Sequence, residues 1–288
     1  MLSKTVTVVT GGSRGIGRDI AKAQAATGAI VAILARNADA IAGVVAEIKA
    51  LGGRAEGIAV ELSDRLEVER AFAAVSAALG PVDTLINNAG AFCSIGPIWE
   101  VDPDEWWSDI EINLKSAFYC SRAVLPSMLM RRHGRIVNMI GGGTSRPLPY
   151  GSAYSISKTG TLRLTECLAA TLEGTGVICL AMDPGLVATD LTRFQMDSAS
   201  GSKYLPGVAQ RLRHGDHVPS AFAAQLAVEI ASGRFDRLAG RAIGATEDLD
   251  EVEATIGDIL ICDERVLRVS GFAPPPRPTK PIPNGAAE

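Results

Sequence analysis

The stretch Thr10-Gly11-Gly12-Ser13-Arg14-Gly15-Ile16-Gly17 decides the fold of this chain of 288 residues. It follows the apolar, β-branched run at 6–9 and precedes a helical pattern that begins near Ile20. Glycines permit positive φ angles and let a ligand approach the backbone, while the free amides and dipole of a helix N-terminus favour a pyrophosphate. The stretch therefore predicts a strand, a glycine turn and a helix. By itself such a turn is as compatible with a plain βα connection as with a nucleotide site.

A second motif is the pair formed by Tyr154 and Lys158, which lie four residues apart and so share one face of a helix. An unperturbed phenol has a pKa near ~10, so it is a poor acid or base at neutral pH unless a neighbouring cation stabilises the phenolate. If the pair transfers protons, Lys158 is the cation that stabilises the phenolate of Tyr154. The same spacing also fits an ordinary contact on a solvated helix face.

Short runs of Val, Ile and Leu alternate with longer helical patterns along the chain, which is typical of βαβ units and a parallel sheet. Right-handed crossovers predict the doubly wound strand order 3-2-1-4-5-6, extended by a seventh strand. We expect this α/β domain to occupy residues 1–245. A C-terminal extension, 246–288, carries the amphipathic pattern of Val252, Ile256, Ile259 and Leu260, and its proline-rich tail from about 273 is predicted to be extended or disordered.

The chain resembles the short-chain dehydrogenase/reductase family. Besides the glycine motif and the tyrosine–lysine pair, it has Asn87-Asn88-Ala89-Gly90 after a strand-like run, Asn113 in a helical stretch, and Asp183-Pro184-Gly185 followed by Thr189, in the family's order. The resemblance covers about residues 4–245. It implies a doubly wound Rossmann fold with a seven-stranded parallel sheet, and hydride transfer between a nicotinamide and a carbonyl or alcohol carbon.

The resemblance also implies roles for individual residues. Tyr154 is expected to supply or remove the hydroxyl proton, Lys158 to lower its pKa and bind the nicotinamide ribose, and Asn113 to hold a water that relays protons. Thr189 is expected to orient the carboxamide. The predicted cofactor-binding residues are Gly11, Ser13, Arg14, Gly15, Ile16, Gly17, Arg36, Glu61, Leu62, Asn87, Ala89, Gly90, Tyr154, Lys158, Pro184, Gly185, Val187 and Thr189.

Charge at the end of the second predicted strand indicates which cofactor binds. An acid there hydrogen-bonds the ribose 2′-hydroxyl, whereas an arginine accommodates a 2′-phosphate. Here the strand ends in Ala35-Arg36, and Arg14 in the glycine turn adds a second cation. NADP(H) is therefore predicted, unless both arginines are merely solvated. Glu61 stands where the family more often has an aspartate near the adenine.

One position departs from the family pattern. The family places a serine thirteen residues before the tyrosine to polarise the substrate oxygen, and here that position is Gly141. Losing one such donor costs ~3 to 4 kcal/mol. Thr144 is the favoured replacement; Ser145, the amides of Gly142 and Gly143, and a substrate polarised by its own hydroxyls are alternatives. Restoring serine would maintain or raise activity in a weakened reductase and lower it in a pocket shaped around glycine.

Two functions therefore remain open. The leading one is an NADP(H)-dependent ketoreductase or alcohol dehydrogenase. The rival keeps the fold and nucleotide but performs non-redox chemistry, such as dehydration or cyclisation, or only senses the nucleotide. The segment 186–218 lies where the family has a substrate lid, and its apolar residues favour a medium or bulky carbonyl or alcohol substrate.

Composition excludes several other classes. A net charge of −4 argues against a nucleic-acid partner, and no apolar run approaches membrane-spanning length. The five cysteines form no C-x-x-C pair and the first strand begins too near Met1 for a signal peptide, so we expect a cytoplasmic protein. The segment 214–217 has two histidines without a third ligand at helical spacing, so no metal is predicted. The family resemblance implies a homodimer or homotetramer.

Overall fold

The computed structural model describes residues 2–269. They form an α/β domain with one seven-stranded parallel sheet in the order β3-β2-β1-β4-β5-β6-β7, as predicted. The strands are β1 (Val6–Thr10), β2 (Ile30–Ala35), β3 (Arg54–Ala59), β4 (Thr84–Asn87), β5 (Gly134–Met139), β6 (Val177–Asp183) and β7 (Ala242–Gly244). The helices are α1 (Gly15–Ala26), α2 (Ala38–Ala50), α3 (Arg65–Leu79), α4 (Pro103–Ile110), α5 (Ser116–Arg131), α6 (Ser152–Thr171), α7 (Asp190–Asp197), α8 (Ala199–Tyr204), α9 (Pro206–Arg213), α10 (Ser220–Ser232), α11 (Leu249–Ala254) and α12 (Ile256–Ile261).

The register of the sheet places three strand ends side by side. Thr10 pairs with Leu34 at the end of β2, and Val9 pairs with Ile86 near the end of β4. Because the strand order reverses between β2-β1 and β4, a crevice opens at the carboxyl edge at this point. The glycine turn follows directly after β1 and therefore lies at this crevice.

The inner strands β1, β2, β4, β5 and β6 are buried on both faces, as expected of a parallel sheet covered by helices, whereas the edge strand β3 is largely exposed. Val9 and Ile33 face one apolar cluster, which includes residues of α1, α2 and α10, whereas Val8 and Leu34 face a second cluster with α3 and α5. Side chains of successive strand residues point to opposite faces, so each of β1 to β6 contributes to both clusters.

The apolar stripe of the C-terminal extension packs on the domain. Val252, Ile256 and Ile259 are buried in the first of these clusters, and Leu260 packs against it. The amphipathic pattern of 246–260 thus reflects contact with the sheet's own covering layer. The predicted proline-rich tail from about 273 lies outside the described residues.

The long helix predicted through Asn113 is interrupted. A π-helical turn, Glu111–Lys115, lies between α4 and α5, and Asn113 stands at its centre. A π turn inserts one extra residue into the helical ladder and is frequent at functional sites. Apolar periodicity does not report such an insertion, so the sequence predicted one continuous helix.

Candidate active site

The glycine turn is tightly enclosed by the loop that follows β4. Gly11 has a φ of 64°, and a Cβ at this position would lie 2.9 Å from Cα of Ala89. A Cβ at Gly17 would lie 2.4 Å from Nδ2 of Asn88. Any side chain at these two positions would collide with that loop, so the glycines allow the close approach of the two loops.

The N-terminus of α1 fits an anionic group. Arg14 occupies the N-cap position without a capping side-chain hydrogen bond, and the first turn contains no acidic residue. By contrast, Asn37, Asp64 and Asp102 cap α2, α3 and α4 with their side chains. Uncapped amides together with the helix dipole form a site that suits a pyrophosphate. The residues of the turn therefore fit the nucleotide that the sequence predicts.

Thr10 and Asn88 hold this turn in place. The hydroxyl of Thr10 accepts hydrogen bonds from the amides of Asn88 at 3.0 Å and Ala89 at 3.1 Å. Nδ2 of Asn88 donates to the carbonyl oxygens of Thr10 at 2.9 Å and Gly11 at 3.3 Å. Sequence reasoning did not assign either residue, although both lie inside quoted motifs.

The side chain of Asn87, a predicted cofactor-binding residue, makes its contacts inside the fold. This side chain is buried, and its Nδ2 donates to Oδ1 of Asn138 at 2.8 Å and to the hydroxyl of Ser121 at 3.2 Å. The side-chain amide therefore ties β4 to β5 and α5 inside the fold. Only the backbone of Asn87 remains available for the predicted contact.

Arg14 and Arg36 stand exposed on the nucleotide side of the glycine turn and of β2. Nη1 of Arg14 lies 3.2 Å from Oδ2 of Asp190, and Nη1 of Arg36 lies 3.9 Å from Oε2 of Glu61. The other oxygen of Glu61 accepts hydrogen bonds from the amide and hydroxyl of Ser63. Both guanidinium groups therefore sit in loose, solvent-exposed ion pairs, which contribute little and exchange partners readily.

The other residues predicted to contact the cofactor differ in how deeply they are buried. Leu62, Pro184 and Val187 are buried, so their backbone atoms are the groups available to a ligand. Thr189 caps α7 and, at 3.4 Å, its methyl group is the nearest atom that a Cβ at Gly15 would meet. Along the crevice, Gly90 and Gly185 are exposed, and Ser13, Ile16 and Ala89 are partly buried.

Tyr154, Lys158 and Asn113 come together at the carboxyl end of β5. Nζ of Lys158 lies 5.7 Å from the ring centroid of Tyr154 and donates to the carbonyl oxygen of Met139 at 3.0 Å. Asn113 donates to the carbonyl oxygen of Ala91 at 2.8 Å and accepts from the amide of Ala91 at 3.1 Å. A Cβ at Gly90 would lie 2.7 Å from Oδ1 of Asn113 and 3.6 Å from Nζ of Lys158, so Gly90 lies close to both polar groups.

Burial dominates the electrostatics of this pair. It raises the pKa of the Tyr154 phenol, and the charges of Asp183 and Asp109 raise it further. Burial also lowers the pKa of Lys158 to about 8, against the opposing charge of Asp183. Desolvation penalises the charged form of each group. The two shifts leave both groups less charged than they would be in water.

Gly141 lies directly beside the phenol. A Cβ at this position would be 2.8 Å from Oη of Tyr154. The hydroxyl of Thr144, the favoured substitute donor, donates to the carbonyl oxygen of Gly141 at 2.6 Å and accepts from its amide at 3.3 Å. Thr144 is therefore engaged in its own turn, and its predicted role toward substrate requires that hydrogen bond to break.

An apolar cluster covers the tyrosine. Phe92, Ile95 and Leu205 are buried, and Tyr154 packs against them. Other members come from the loop before α6 and from the helices α7 to α9, namely Leu148, Leu191, Tyr204 and Val208. Sequence reasoning predicted the apolar character of 186–218 but did not assign Phe92, whose only signal was an aromatic residue next to the Asn-Asn-Ala-Gly loop.

The doubly wound sheet, the uncapped helix at its crevice and the tyrosine–lysine pair define a dinucleotide-binding oxidoreductase. The chain belongs to the short chain dehydrogenase family, whose model matches residues 5–199. A short chain dehydrogenase of Pseudocercospora fijiensis is 38% identical over 251 residues, which cover 85% of this chain and 81% of that protein. The 2-dehydro-3-deoxy-L-rhamnonate dehydrogenase (NAD(+)) of a Sphingomonas species is 41% identical over 62% of this chain and 70% of its own.

A solved structure extends the similarity. The crystal structure of a variant actinorhodin polyketide ketoreductase with NADPH superposes with a TM-score of 0.76 at 27% identity, covering 85% of this chain and 97% of that one. Between residues 2 and 269 no helix is long and apolar enough to cross a membrane. The same residues contain no group of three or more His, Cys, Asp or Glu side chains arranged to hold a metal ion.

Proposed function

We propose that this chain is an NADP(H)-dependent oxidoreductase that interconverts a ketone and a secondary alcohol. The observation that carries the proposal is the position of Lys158 near Tyr154, with Nζ 5.7 Å from the ring centroid, in a fold whose helix α1 has an uncapped N-terminus. When bound, the nicotinamide supplies or accepts the hydride. The protein has to bind it, orient it and move one proton.

Tyr154 moves that proton in the proposed mechanism. In the reductive direction its Oη donates to the forming alkoxide, and in the oxidative direction it accepts the hydroxyl proton. Lys158 favours the phenolate when it carries its proton, and the pKa of about 8 allows it to gain or lose that proton near neutral pH. Asn113, which lies in the π turn and is hydrogen-bonded to Ala91, holds the water that relays protons in this proposal.

The proposal for NADP(H) depends on the two exposed arginines. Arg36 follows β2 directly, and Arg14 follows β1 across the same edge of the sheet. A guanidinium group binds phosphate in a bidentate manner, and a 2′-phosphate would exchange the loose ion pairs of these residues for stronger ones. The NADPH of the ketoreductase supports this choice, whereas the rhamnonate relative is named for NAD(+).

The proposed substrate is a medium or bulky carbonyl compound with an apolar body. The cluster around Tyr154 supports this, because Phe92, Ile95 and Leu205 present apolar surface beside the phenol. Tyr150 and Tyr204 extend the aromatic character, with ring centroids 5.0 Å apart. An apolar cover excludes water and strengthens the hydrogen bonds made at the reacting oxygen.

We also propose a homodimer or homotetramer formed through α5 and α6. An apolar groove of about 280 Å³ lies between these helices, lined by Phe118, Leu125, Pro126, Leu129, Leu164 and Leu168. Phe118 and Leu129 are more than two-fifths exposed, which is unusual for large apolar side chains grouped on one face. Light scattering on the purified protein tests the assembly, and a monomer at micromolar concentration would contradict it.

The test of the activity is NADPH oxidation across a panel of ketones and aldehydes, with NADH in parallel. Tyr154→Phe is expected to reduce kcat by about 100-fold or more while NADPH binding is retained. Tyr119→Phe, which removes a phenol hydroxyl from α5, is the matched control and should keep its activity. Unchanged turnover in Tyr154→Phe would contradict the mechanism.

A non-redox reaction is the second candidate, favoured by Gly141 and by the engagement of the Thr144 hydroxyl in its own turn. Both leave the tyrosine without a neighbouring side-chain donor in the loop at 141–144. Tight NADPH binding without oxidation of the cofactor on any substrate would favour this candidate over the reductase.

A further inference from the structure

The ring of Tyr154 is stacked on the ring of Phe92. Their centroids lie 4.5 Å apart and their planes differ by 7°. Phe92 is buried and its backbone is fixed, because the carboxylate of the buried Asp109 accepts hydrogen bonds from the amides of Cys93 and Ser94, the shortest at 2.9 Å. The tyrosine therefore rests on a partner that is itself held by the protein interior.

Two glycines make room for this stack. A Cβ at Gly151 would lie 2.5 Å from Cζ of Phe92, and a Cβ at Gly141 would lie 2.8 Å from Oη of Tyr154. Neither glycine is needed for a left-handed backbone: Gly151 has a φ of −130°, and Gly141 is not among the residues with positive φ. Packing against the two rings is what excludes a side chain at both positions.

We infer that Phe92 is a positioning residue for Tyr154, and that glycine at 141 is required by the place where Phe92 holds the phenol. The inference rests on the proposed role of Tyr154 in proton transfer. The glycine at 141, in place of the family's serine, and the stacked phenylalanine depend on each other. The stack places Oη of Tyr154 in the space that a side chain at position 141 would fill.

The ring of Tyr154 has little room to yield. Phe92 lies against one face of the ring and is itself wedged against Gly151, whose absent Cβ would also meet Leu148 at 2.9 Å. A side chain at 141 must therefore displace Oη, since interiors are packed closely and transmit such strain. Proton transfer is sensitive to this, because a misplacement of about 1 Å can cost roughly 100-fold in rate.

The experiment is a double-mutant cycle with Gly141→Ser, Phe92→Leu and their combination, read by kcat, by KM for NADPH and by the free energy of unfolding. Gly141→Ser is expected to lower kcat about tenfold or more, with KM for NADPH changed by less than about threefold. The combined variant is expected to regain at least about fivefold of that loss, because leucine gives the tyrosine ring space to retreat. Gly141→Ala, which adds only the Cβ, should lower kcat as the serine does.

Gly43→Ser is the matched control. Gly43 is exposed on α2 and a Cβ there would meet nothing within 4 Å, so kcat should remain that of the wild type. A Gly141→Ser variant with wild-type or higher kcat would overturn the inference. The inference would also be overturned if the two substitutions changed kcat independently, so that the effect of the combined variant equalled the product of the two single effects. The same holds if the two substitutions were coupled in the free energy of unfolding but not in kcat.

Failure of the proposed function looks different. If Tyr154→Phe keeps full turnover, the proton-transfer role is wrong, whatever the cycle gives. The free energies of unfolding still test the packing in that case, because Gly141→Ser should destabilise the fold less in the Phe92→Leu background than in the wild type.

Discussion

Nη1 of Arg14, in the glycine turn, lies 3.2 Å from Oδ2 of Asp190, the first residue of α7. This ion pair joins the nucleotide crevice to the helices that carry part of the apolar cover over Tyr154. A residue proposed to bind a 2′-phosphate is thus held by a carboxylate that competes for it. Binding of NADPH and the position of α7 should therefore be coupled through Arg14.

Asp190→Asn should strengthen NADPH binding. Removing the competing carboxylate leaves Arg14 free for the 2′-phosphate, and an exposed pair of this kind is worth about 0.2–1 kcal/mol, so Kd should fall about 1.4- to fivefold. Fluorescence titration measures the affinity, and NADH, without the 2′-phosphate, should be unaffected. Asp197→Asn at the last residue of α7 is the control. Equal gains for both cofactors would contradict the coupling.

Arg36→Gln should weaken NADPH binding selectively. A hydrogen-bonded charge pair with phosphate contributes about 1.5–3 kcal/mol, so Kd for NADPH should rise about 10- to 100-fold, with little change for NADH. Arg54→Gln, at the exposed amino end of β3 and so at the opposite edge of the sheet, is the matched variant. If Arg36→Gln affects both cofactors alike, the assignment of this residue to the 2′-phosphate is wrong.

Lys158→Met should stabilise the fold near neutral pH. Burial lowers the pKa of Lys158 to about 8 from its ordinary value of 10.5, so the folded protein bears the cost of a buried charge below pH 8. Methionine removes this cost, and we expect the free energy of unfolding at pH 7 to rise by about 1–3 kcal/mol, reduced by the lost bond to Met139.

The advantage of Lys158→Met should shrink as the pH rises through 8 toward 10.5. In this window the unfolded chain holds a proton that the folded chain has released, so the stability of the wild type increases relative to the variant. Urea unfolding followed by circular dichroism at several pH values measures the difference. Lys49→Met, at an exposed lysine of α2, is the matched substitution, and a constant difference between wild type and Lys158→Met would contradict the lowered pKa of Lys158.

Glu166→Ala should loosen the segment that follows α12. The carboxylate of Glu166 accepts a hydrogen bond from the amide of Leu267 at 2.6 Å and lies 3.3 Å from Nη1 of Arg268. Its loss leaves the amide of Leu267 without its acceptor, whereas Arg268 keeps its ion pair with Asp263. The unpaired amide should cost about 1–3 kcal/mol in the free energy of unfolding. Amide hydrogen exchange at Leu267 should accelerate as well.

Glu173→Ala is the control for this change, because Glu173 is exposed just after α6. Similar effects of the two substitutions would show that Glu166 has no special part in holding the C-terminal segment. Retained exchange protection at Leu267 in Glu166→Ala would contradict the prediction in the same way.

Much of the fold followed from local patterns. The β-branched runs, the glycine turn and the spacing of the helical patterns predicted all seven strands and their order, because parallel crossovers of one hand leave few alternatives. The π turn at Asn113 was not predicted, since one inserted residue leaves the apolar periodicity of α4 and α5 nearly unchanged. The hydrogen bonds of the Asn87 side chain to Asn138 and Ser121 were not predicted either, since these residues lie far from it in the sequence.

The sequence by itself determined the family and the strand order, because these depend on residue types at fixed spacing. Only the tertiary structure decided how the individual residues meet. The stack of Phe92 on Tyr154 and the collision of a Cβ at Gly141 with the phenol join residues from different segments of the chain. The hydroxyl of Thr144, by contrast, bonds within its own turn. Contacts between segments depend on distances of a few tenths of an ångström in a closely packed interior, which no spacing along the chain records.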